Sequence, residues 1–329
     1  MKNSGQRVKP AYATSQGRMY HGLSEDLLDG RVGKDLKGTV QLIFTSPPFP
    51  LNTKKRYGNL NGQEYVDWLA AFGKRFKELL TKTGSVVVEI GNAWEPGRPV
   101  MSTLGLKALI ELQEKSELVL CQEFICYNPA RLPGPAQWVT VERIRVKDAY
   151  TRLWWMAATD RPKADNRQIL QPYSDAMVGL LKRRKYNAGV RPSQHNIDAE
   201  SFLADNGGSI PPNVLTIANT KSNDPYQQYC RENNIVGHPA RMPVDLASFF
   251  IRYLTSEGDL VLDPFAGSNT TGYAAEQLKR KWVAIEADQA YVSASQPRFE
   301  MKVDESTSTA RAKEPIDVHP RAVSAAAKR

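Results

Sequence analysis

Short apolar runs bounded by turn residues alternate along the chain with longer stretches of helical period. Residues 40–44 form a continuous apolar run with one polar member, as expected of a strand buried on both faces, and residues 86–90 repeat the pattern. Between them Tyr65, Trp68, Leu69, Phe72, Phe76 and Leu79 recur at mostly helical spacing, which predicts an amphipathic helix over 64–80 that Gly84 stops. A helix over 104–117 and a strand region over 118–127 follow. Beyond Tyr127 the rhythm breaks into a stretch rich in Pro, Gly, Asn and charge, with residues 153–158 as a returning strand. Regularity resumes with a helix over 244–254, a strand ending at Asp263, a helix over 273–278 and a strand over 282–286. Alternating strands and helices predict an α/β fold around a largely parallel sheet. Residues 1–17 are polar and expected to be a flexible N-terminus, and the Ser/Thr/Ala/Lys-rich residues 300–329 are expected to form a disordered tail.

Two strand ends carry unusual chemistry. The run over 40–44 leads through Thr45 into Ser46-Pro47-Pro48-Phe49: a hydroxyl, two residues without an N–H and an aromatic ring. Such a turn offers the Ser46 hydroxyl and the Pro47 carbonyl as oriented partners beside a stacking ring, and a nucleobase is a flat, hydrogen-bonding group of that kind. A rigid turn after a strand is the plain alternative. Ile210-Pro211-Pro212-Asn213, a double proline with neither hydroxyl before it nor aromatic after it, is such a turn. The second strand end is Asp263-Pro264-Phe265-Ala266-Gly267-Ser268-Asn269-Thr270-Thr271-Gly272, a small-residue turn opening a helix. The next strand ends in Glu286. A turn permitting close backbone approach, paired with an acid after the following strand, points to an adenosine-containing cofactor whose ribose hydroxyls the acid accepts. No Lys-Ser/Thr pair follows the turn to hold a nucleoside triphosphate.

Charge narrows the partners. The 329 residues carry a formal charge of +9 and a pI near 9.3, which favours a polyanion. Between Arg131 and Arg191 thirteen Lys/Arg stand against five Asp/Glu, so nearly all of the excess lies in this segment. The Lys182-Arg183-Arg184-Lys185 run alone is an ordinary solvated surface, but Trp138, Tyr150, Tyr173 and Tyr186 are interleaved with the cations, the mixture that phosphate attraction and base contact require. Three cysteines, Cys121, Cys126 and Cys230, show neither metal spacing nor a disulfide framework, so a reducing cytoplasm and no metal are expected. No apolar stretch is long enough for a membrane span, and the polar residues after Met1 do not form a signal-peptide core.

Taken in this order, the two motifs resemble those of the beta-class amino-methyltransferases of DNA, in which an S-P-P-F motif precedes a D-P-F-x-G-S-G-T-T motif. The likeness extends through Glu142-Arg143-Ile144-Arg145-Val146-Lys147-Asp148-Ala149, Pro162-Lys163-Ala164-Asp165-Asn166 and His238-Pro239-Ala240-Arg241-Met242-Pro243, and covers roughly residues 18–299. The resemblance implies a circularly permuted, Rossmann-like S-adenosylmethionine-dependent methyltransferase fold with a mostly parallel sheet and a DNA-recognition insertion. It divides the chain into a catalytic half (18–127), the end of the catalytic sheet plus a target-recognition region (128–236) and a cofactor-binding half (237–299).

The serine form of the first motif is typical of the cytosine-N4 enzymes. The implied activity is methylation of cytosine N4 in double-stranded DNA after base flipping, with adenine-N6 methylation as the alternative and a catalytically silent DNA-binding protein as a third. Cytosine-C5 chemistry is disfavoured, because it needs a thiolate and no Cys here follows Pro. Ser46, Pro47, Pro48 and Phe49 are the implied catalytic residues. Asp263, Phe265, Gly267, Ser268, Asn269, Thr270, Thr271, Glu286 and His238 are those implied for the cofactor, and Arg143, Arg145, Lys147, Lys182, Arg183, Arg184 and Lys185 those for DNA. A bacterial or phage setting and a cognate restriction endonuclease also follow from the resemblance. Two positions depart from the family pattern. Asn269 stands where a glycine is usual, and Gly22-Leu23 stands where Gly-Asp is common, so Leu23 cannot bond the cofactor's adenine amino group.

Overall fold

The computed structural model describes residues 8–49, 60, 62–198, 200, 202–218, 225–235 and 237–300. In chain order the elements are β1 (Tyr12–Ala13), β2 (Gly17–His21), α1 (Ser24–Asp29), α2 (Arg31–Leu36), β3 (Val40–Thr45), α3 (Gly62–Leu79), β4 (Leu80–Gly91), α4 (Leu104–Ser116) and β5 (Val119–Tyr127). There follow β6 (Tyr150–Ala157), α5 (Asp175–Arg183), β7 (Gly189–Val190), β8 (Asn196–Ile197), β9 (Val214–Thr216), α6 (Pro225–Glu232), α7 (Val244–Leu254), β10 (Leu260–Asp263), α8 (Thr270–Gln277), β11 (Lys281–Glu286) and α9 (Gln289–Ser295).

Nine strands form one sheet in the order β1-β2-β11-β10-β3-β4-β6-β5-β9. The five strands from β2 to β4 are mutually parallel, and β6 is antiparallel to both of its neighbours. Helices cover both faces, so the central strands are apolar on both sides. In β3, Ile43 joins one core with Leu69, Phe72, Phe76, Leu109 and Leu112, while Leu42 and Phe44 join the other with Leu246, Phe250, Ile251 and Ala275. This alternation is the two-residue period of a strand. Because β2, β3, β4, β10 and β11 run in one direction, the segments that follow them emerge at one edge of the sheet, and antiparallel β6 begins there. That edge is where an open parallel sheet binds its ligands.

The sheet starts earlier than composition indicates. Residues 11–17 are not a flexible N-terminus: β1 pairs with β2, and Tyr12 is buried with its hydroxyl 2.7 Å from Ser295 Oγ and accepting from Asn269 Nδ2 at 2.9 Å. Residues 1–7 and the tail from 301 lie outside the described residues. Gly84 does not stop α3. It lies inside β4, and a Cβ there would sit 2.9 Å from the Val40 carbonyl, so glycine lets β3 and β4 approach. The helix after the second motif starts at Thr270 rather than Tyr273.

Residues 169–212 form a second compact unit. Its base is closed by reciprocal backbone bonds between Gln171 and Ser209 (2.9 and 2.8 Å), and it contains α5, capped by Ser174, and the β7/β8 hairpin. Tyr186 packs on Phe202 within it, with ring centroids 4.8 Å apart. Lys182 and Arg183 lie in the last turn of α5, Arg184 caps it and Lys185 follows, and cations there suit the negative end of the helix dipole.

Candidate active site

The parallel edge opens into a cleft of about 1060 Å³ that both motifs line. Ser46, Pro47, Pro48 and Phe49 contribute one part of its wall, and Asp263, Phe265, Gly267, Ser268, Thr270, Thr271, Glu286 and His238 another. Thr45 joins the two. Its hydroxyl donates to Asp263 Oδ1 at 2.7 Å, while Thr271 donates to Oδ2 at 2.6 Å and the Phe265 amide to Oδ1 at 3.1 Å. Burial raises the Asp263 carboxyl to about 6 despite these three donors.

Around the glycine turn the backbone is left free to meet a ligand. Gly267 adopts φ +51°, and a Cβ there would come within 3.0 Å of His238 Nε2, so both conformation and space require glycine. Glu286 accepts from the Gly267 amide at 2.7 Å and the Asp288 amide at 2.8 Å, and burial raises its carboxyl above the ordinary range. His238 is fixed by its backbone N–H on the Tyr226 hydroxyl (2.9 Å), and its ring packs on Tyr291 with centroids 4.6 Å apart. Phe265 packs edge-on to Phe72 and beside Trp68, at centroid separations of 5.0 and 5.4 Å.

Asn269 is placed differently from its neighbours. It is fully buried at φ +53° and does not line the cleft; its Oδ1 caps the Gly272 amide at 3.1 Å and its Nδ2 reaches Tyr12. Asparagine therefore supplies the left-handed turn a glycine would, and adds a helix cap. Leu23 lines the cleft beside Ser24 and Glu25, but the Ser24 hydroxyl donates to the Pro264 carbonyl and the Glu25 carboxylate accepts from the Trp68 indole.

The Ser46 end contains groups that the motifs do not include. Glu89, buried in β4, lines the cleft with Ser46 and accepts from Thr151 Oγ1 at 2.7 Å. Burial raises its carboxyl, and the Arg131 charge opposes the rise. Asn128, Arg131, Tyr150 and Thr151 line the same end of the cleft. Phe49 packs flat enough on Gly91 that a Cβ there would lie 2.6 Å from the ring. Cys126 also lines the cleft, but burial pushes its thiol up to about 12, which removes it as a nucleophile at neutral pH. The signal for Glu89 is in the sequence, a lone acid inside Val86-Val87-Val88-Glu89-Ile90, since a carboxylate in a buried strand needs a reason.

The cations predicted for DNA do not line the cleft. Arg143 and Lys147 are exposed beside it in sequence, Arg145 is half-buried against Asp148 at 3.1 Å, and residues 182–185 belong to the second unit. Among the described residues no cluster of His, Cys, Asp and Glu is arranged to hold a metal ion, and no helix is long and apolar enough to cross a membrane.

Comparison with known proteins gives a consistent picture. The DNA methylase family model matches residues 40–297. The type II methyltransferase M.PvuII of Proteus hauseri is 45% identical over 293 residues, covering 88% of this chain and 86% of that protein. M.HindIII of Haemophilus influenzae, another type II methyltransferase, is 24% identical over 270 residues, 79% of each. Among solved structures, the PvuII DNA methyltransferase, described as cytosine-N4-specific, superposes with a TM-score of 0.72 at 38% identity over 94% of both chains. A DNA modification methylase from Thermus thermophilus, solved with S-adenosyl-L-methionine, shares the fold with a TM-score of 0.52 at 17% identity, over 86% of this chain and 93% of that one.

Proposed function

The chain belongs to the DNA methylase family, and from that premise we propose that it is a site-specific DNA methyltransferase, transferring a methyl group from S-adenosylmethionine to the N4 amino group of a cytosine flipped out of the duplex. The observation that carries this reading is that one cleft brings the Ser46-Pro47-Pro48-Phe49 turn together with the Gly267 turn and Glu286. The cytosine-N4 specificity of the PvuII enzyme, with the serine at position 46, selects cytosine over adenine.

The residues present fit the cofactor. A turn that tolerates no side chain at 267, beside a carboxylate on which two backbone amides leave acceptor sites free, suits a ligand with a ribose diol. Gly267, Ser268, Thr270, Thr271, Glu286, Asp263, Phe265 and His238 would hold it, with Asn269 shaping the turn from behind. When bound, the cofactor would supply a methyl group on a positively charged sulfur, whose S–C bond breaks as a lone pair takes the methyl and whose electrons stay on sulfur to leave a neutral thioether.

The amino group of cytosine is a weak nucleophile, because its lone pair is delocalised into the ring. Acceptors for both of its hydrogens draw the nitrogen toward tetrahedral geometry and free that lone pair. The lone pairs of the Ser46 hydroxyl accept one hydrogen of the amino group. The Pro47 carbonyl accepts the second hydrogen, and Phe49 stacks on the base. As the N–C bond forms, the amino group gives up one proton to solvent. Orientation and preorganised acceptors supply the acceleration, with no covalent enzyme intermediate.

The basic residues Arg143, Arg145 and Lys147, with Lys182, Arg183, Arg184 and Lys185 of the second unit, serve the DNA backbone, and the 128–236 region chooses the site. The proposal extends to a bacterial or phage setting and to a restriction endonuclease that reads the same sequence, and the likeness to type II methyltransferases supports it. Incubation with unmethylated DNA and isotopically labelled S-adenosylmethionine, followed by digestion to nucleosides, tests the reading. Label in N4-methylcytosine is expected. Label in N6-methyladenine transfers the assignment to the other amino base, and no labelled nucleoside refutes it.

A further inference from the structure

The segment joining β5 to β6 is fixed at its root yet turns apolar side chains outward. Its ends are tied by the Asn128 amide on the Ala149 carbonyl at 2.7 Å. Asp148 accepts from Trp94 Nε1 at 3.1 Å, Asn92 Nδ2 at 3.4 Å and Arg145 Nη2 at 3.1 Å, and Arg145 also donates to the Pro99 carbonyl at 3.2 Å. Lys147 Nζ spans the segment to the carbonyls of Pro129 (3.3 Å) and Arg131 (3.0 Å). A segment held by so many polar contacts has a defined shape. Nevertheless Leu132 is 82% exposed and Val146 85%, with Val141 and Ile144 also exposed.

Apolar side chains held in water at fixed positions, among cations, mark a surface made for a partner. The cations Arg131, Arg143, Arg145 and Lys147 outnumber the acids Glu142 and Asp148, and Asp148 is already engaged by Arg145, so the matching partner is an anion with apolar surface. Duplex DNA offers both, phosphates outside and stacked bases within. Of the four exposed apolar residues, Leu132 alone directly follows a cleft-lining residue, Arg131.

We propose that Leu132 enters the base stack at the position the target base vacates, and so holds the flipped state open while the base occupies the cleft. This rests on the base-flipping reading above. An apolar wedge between base steps offsets lost stacking, and it is needed only where the target base starts out paired and stacked.

The test uses the full chain and a duplex containing a sequence that the wild-type protein is found to methylate. Single-turnover methylation by Leu132→Ala is compared with wild type on the fully paired duplex and on the same duplex with an abasic site opposite the target. Leu132 touches no core, so the truncation leaves the fold intact. The expected result is a loss of about tenfold or more on the paired duplex and less than about twofold on the abasic one. An equal loss on both, or no loss on either, overturns the proposal. So does a change from dimer to monomer in sedimentation with the duplex preference unchanged, which would make the patch an interface between copies. A wild-type protein that methylates no DNA overturns the base-flipping reading itself, and the two failures are distinguishable.

Discussion

Thr45 and Asp263, 218 positions apart, are joined by a hydrogen bond of 2.7 Å between the ends of adjacent parallel strands. Thr45 directly precedes the serine turn and Asp263 opens the glycine turn, so this bond sets the spacing between the two. Thr45→Val keeps the shape and removes the donor. It is expected to cost about 1–3 kcal/mol of stability by depriving a buried carboxyl of a partner, and to slow methylation more than it weakens cofactor binding. Thr45→Ser is expected to restore both. Denaturant unfolding with single-turnover kinetics checks this.

Asp263 also makes stability depend on pH in a definite direction. Burial raises its folded carboxyl to about 6, against 3.8 in the unfolded chain, so between those values the folded state holds the proton more tightly. The contribution of Asp263 is therefore largest below about pH 4 and declines as pH rises toward 6. Asp263→Asn removes that decline. The difference in unfolding free energy between wild type and variant, measured from pH 4 to 7, is expected to shift toward the variant by up to about 3 kcal/mol as pH rises, superimposed on a constant cost of the lost acceptors.

What the sequence makes legible here are features set by local pattern. The runs ending at Thr45, Asp263 and Glu286 are recognisable because a strand covered on both faces must be apolar throughout, and each run stops at the chemistry. The departure at Asn269 is visible in the sequence, and the turn survives it because asparagine tolerates a left-handed backbone. Its buried cap and its bond to Tyr12 depend on a residue 257 positions away and leave no local trace. The two-residue strand at Tyr12 is invisible for the same reason, being held by a neighbour strand and by Ser295. Gly84 misleads because a glycine needed for close strand approach looks like one that ends a helix. Glu89 is legible in retrospect as an acid in a buried run, whereas its place in one cleft with Ser46 depends on the pairing of β3 with β4.

Arg298, another residue without a sequence signal, supports the cofactor turn from behind. It is 1% exposed, donates through Nη1 to the Ser268 carbonyl at 2.8 Å and Thr270 Oγ1 at 3.1 Å, and lies over the rings of Tyr226 and Tyr273, each 5.2 Å away. Lysine lacks the planar guanidinium that lies over both rings while donating to the turn. Arg298→Lys is expected to lose about 1–3 kcal/mol of stability and to weaken S-adenosylmethionine binding severalfold, as read by thermal unfolding and calorimetry. Unchanged affinity would show that the turn keeps its shape unaided.

The cations ending α5 are expected to act on DNA without regard to sequence. Replacing Lys182, Arg183, Arg184 and Lys185 by alanine should weaken binding to all duplexes alike. The salt dependence should also flatten, the log–log slope falling by about 0.9 for each phosphate no longer neutralised. Titration at several salt concentrations, with one duplex that is methylated and one that is not, separates this from a role in site choice.

Activation of the target amino group rests on Ser46 as an acceptor. The direct measurement is single-turnover methyl transfer by Ser46→Ala, alongside calorimetric binding of S-adenosylmethionine to the same variant. Loss of one preorganised acceptor predicts a rate lower by about 10²–10³-fold, with cofactor affinity unchanged because the Gly267 turn and Glu286 are untouched. A rate near that of wild type would contradict this mechanism, since the amino group would then be activated by something other than Ser46.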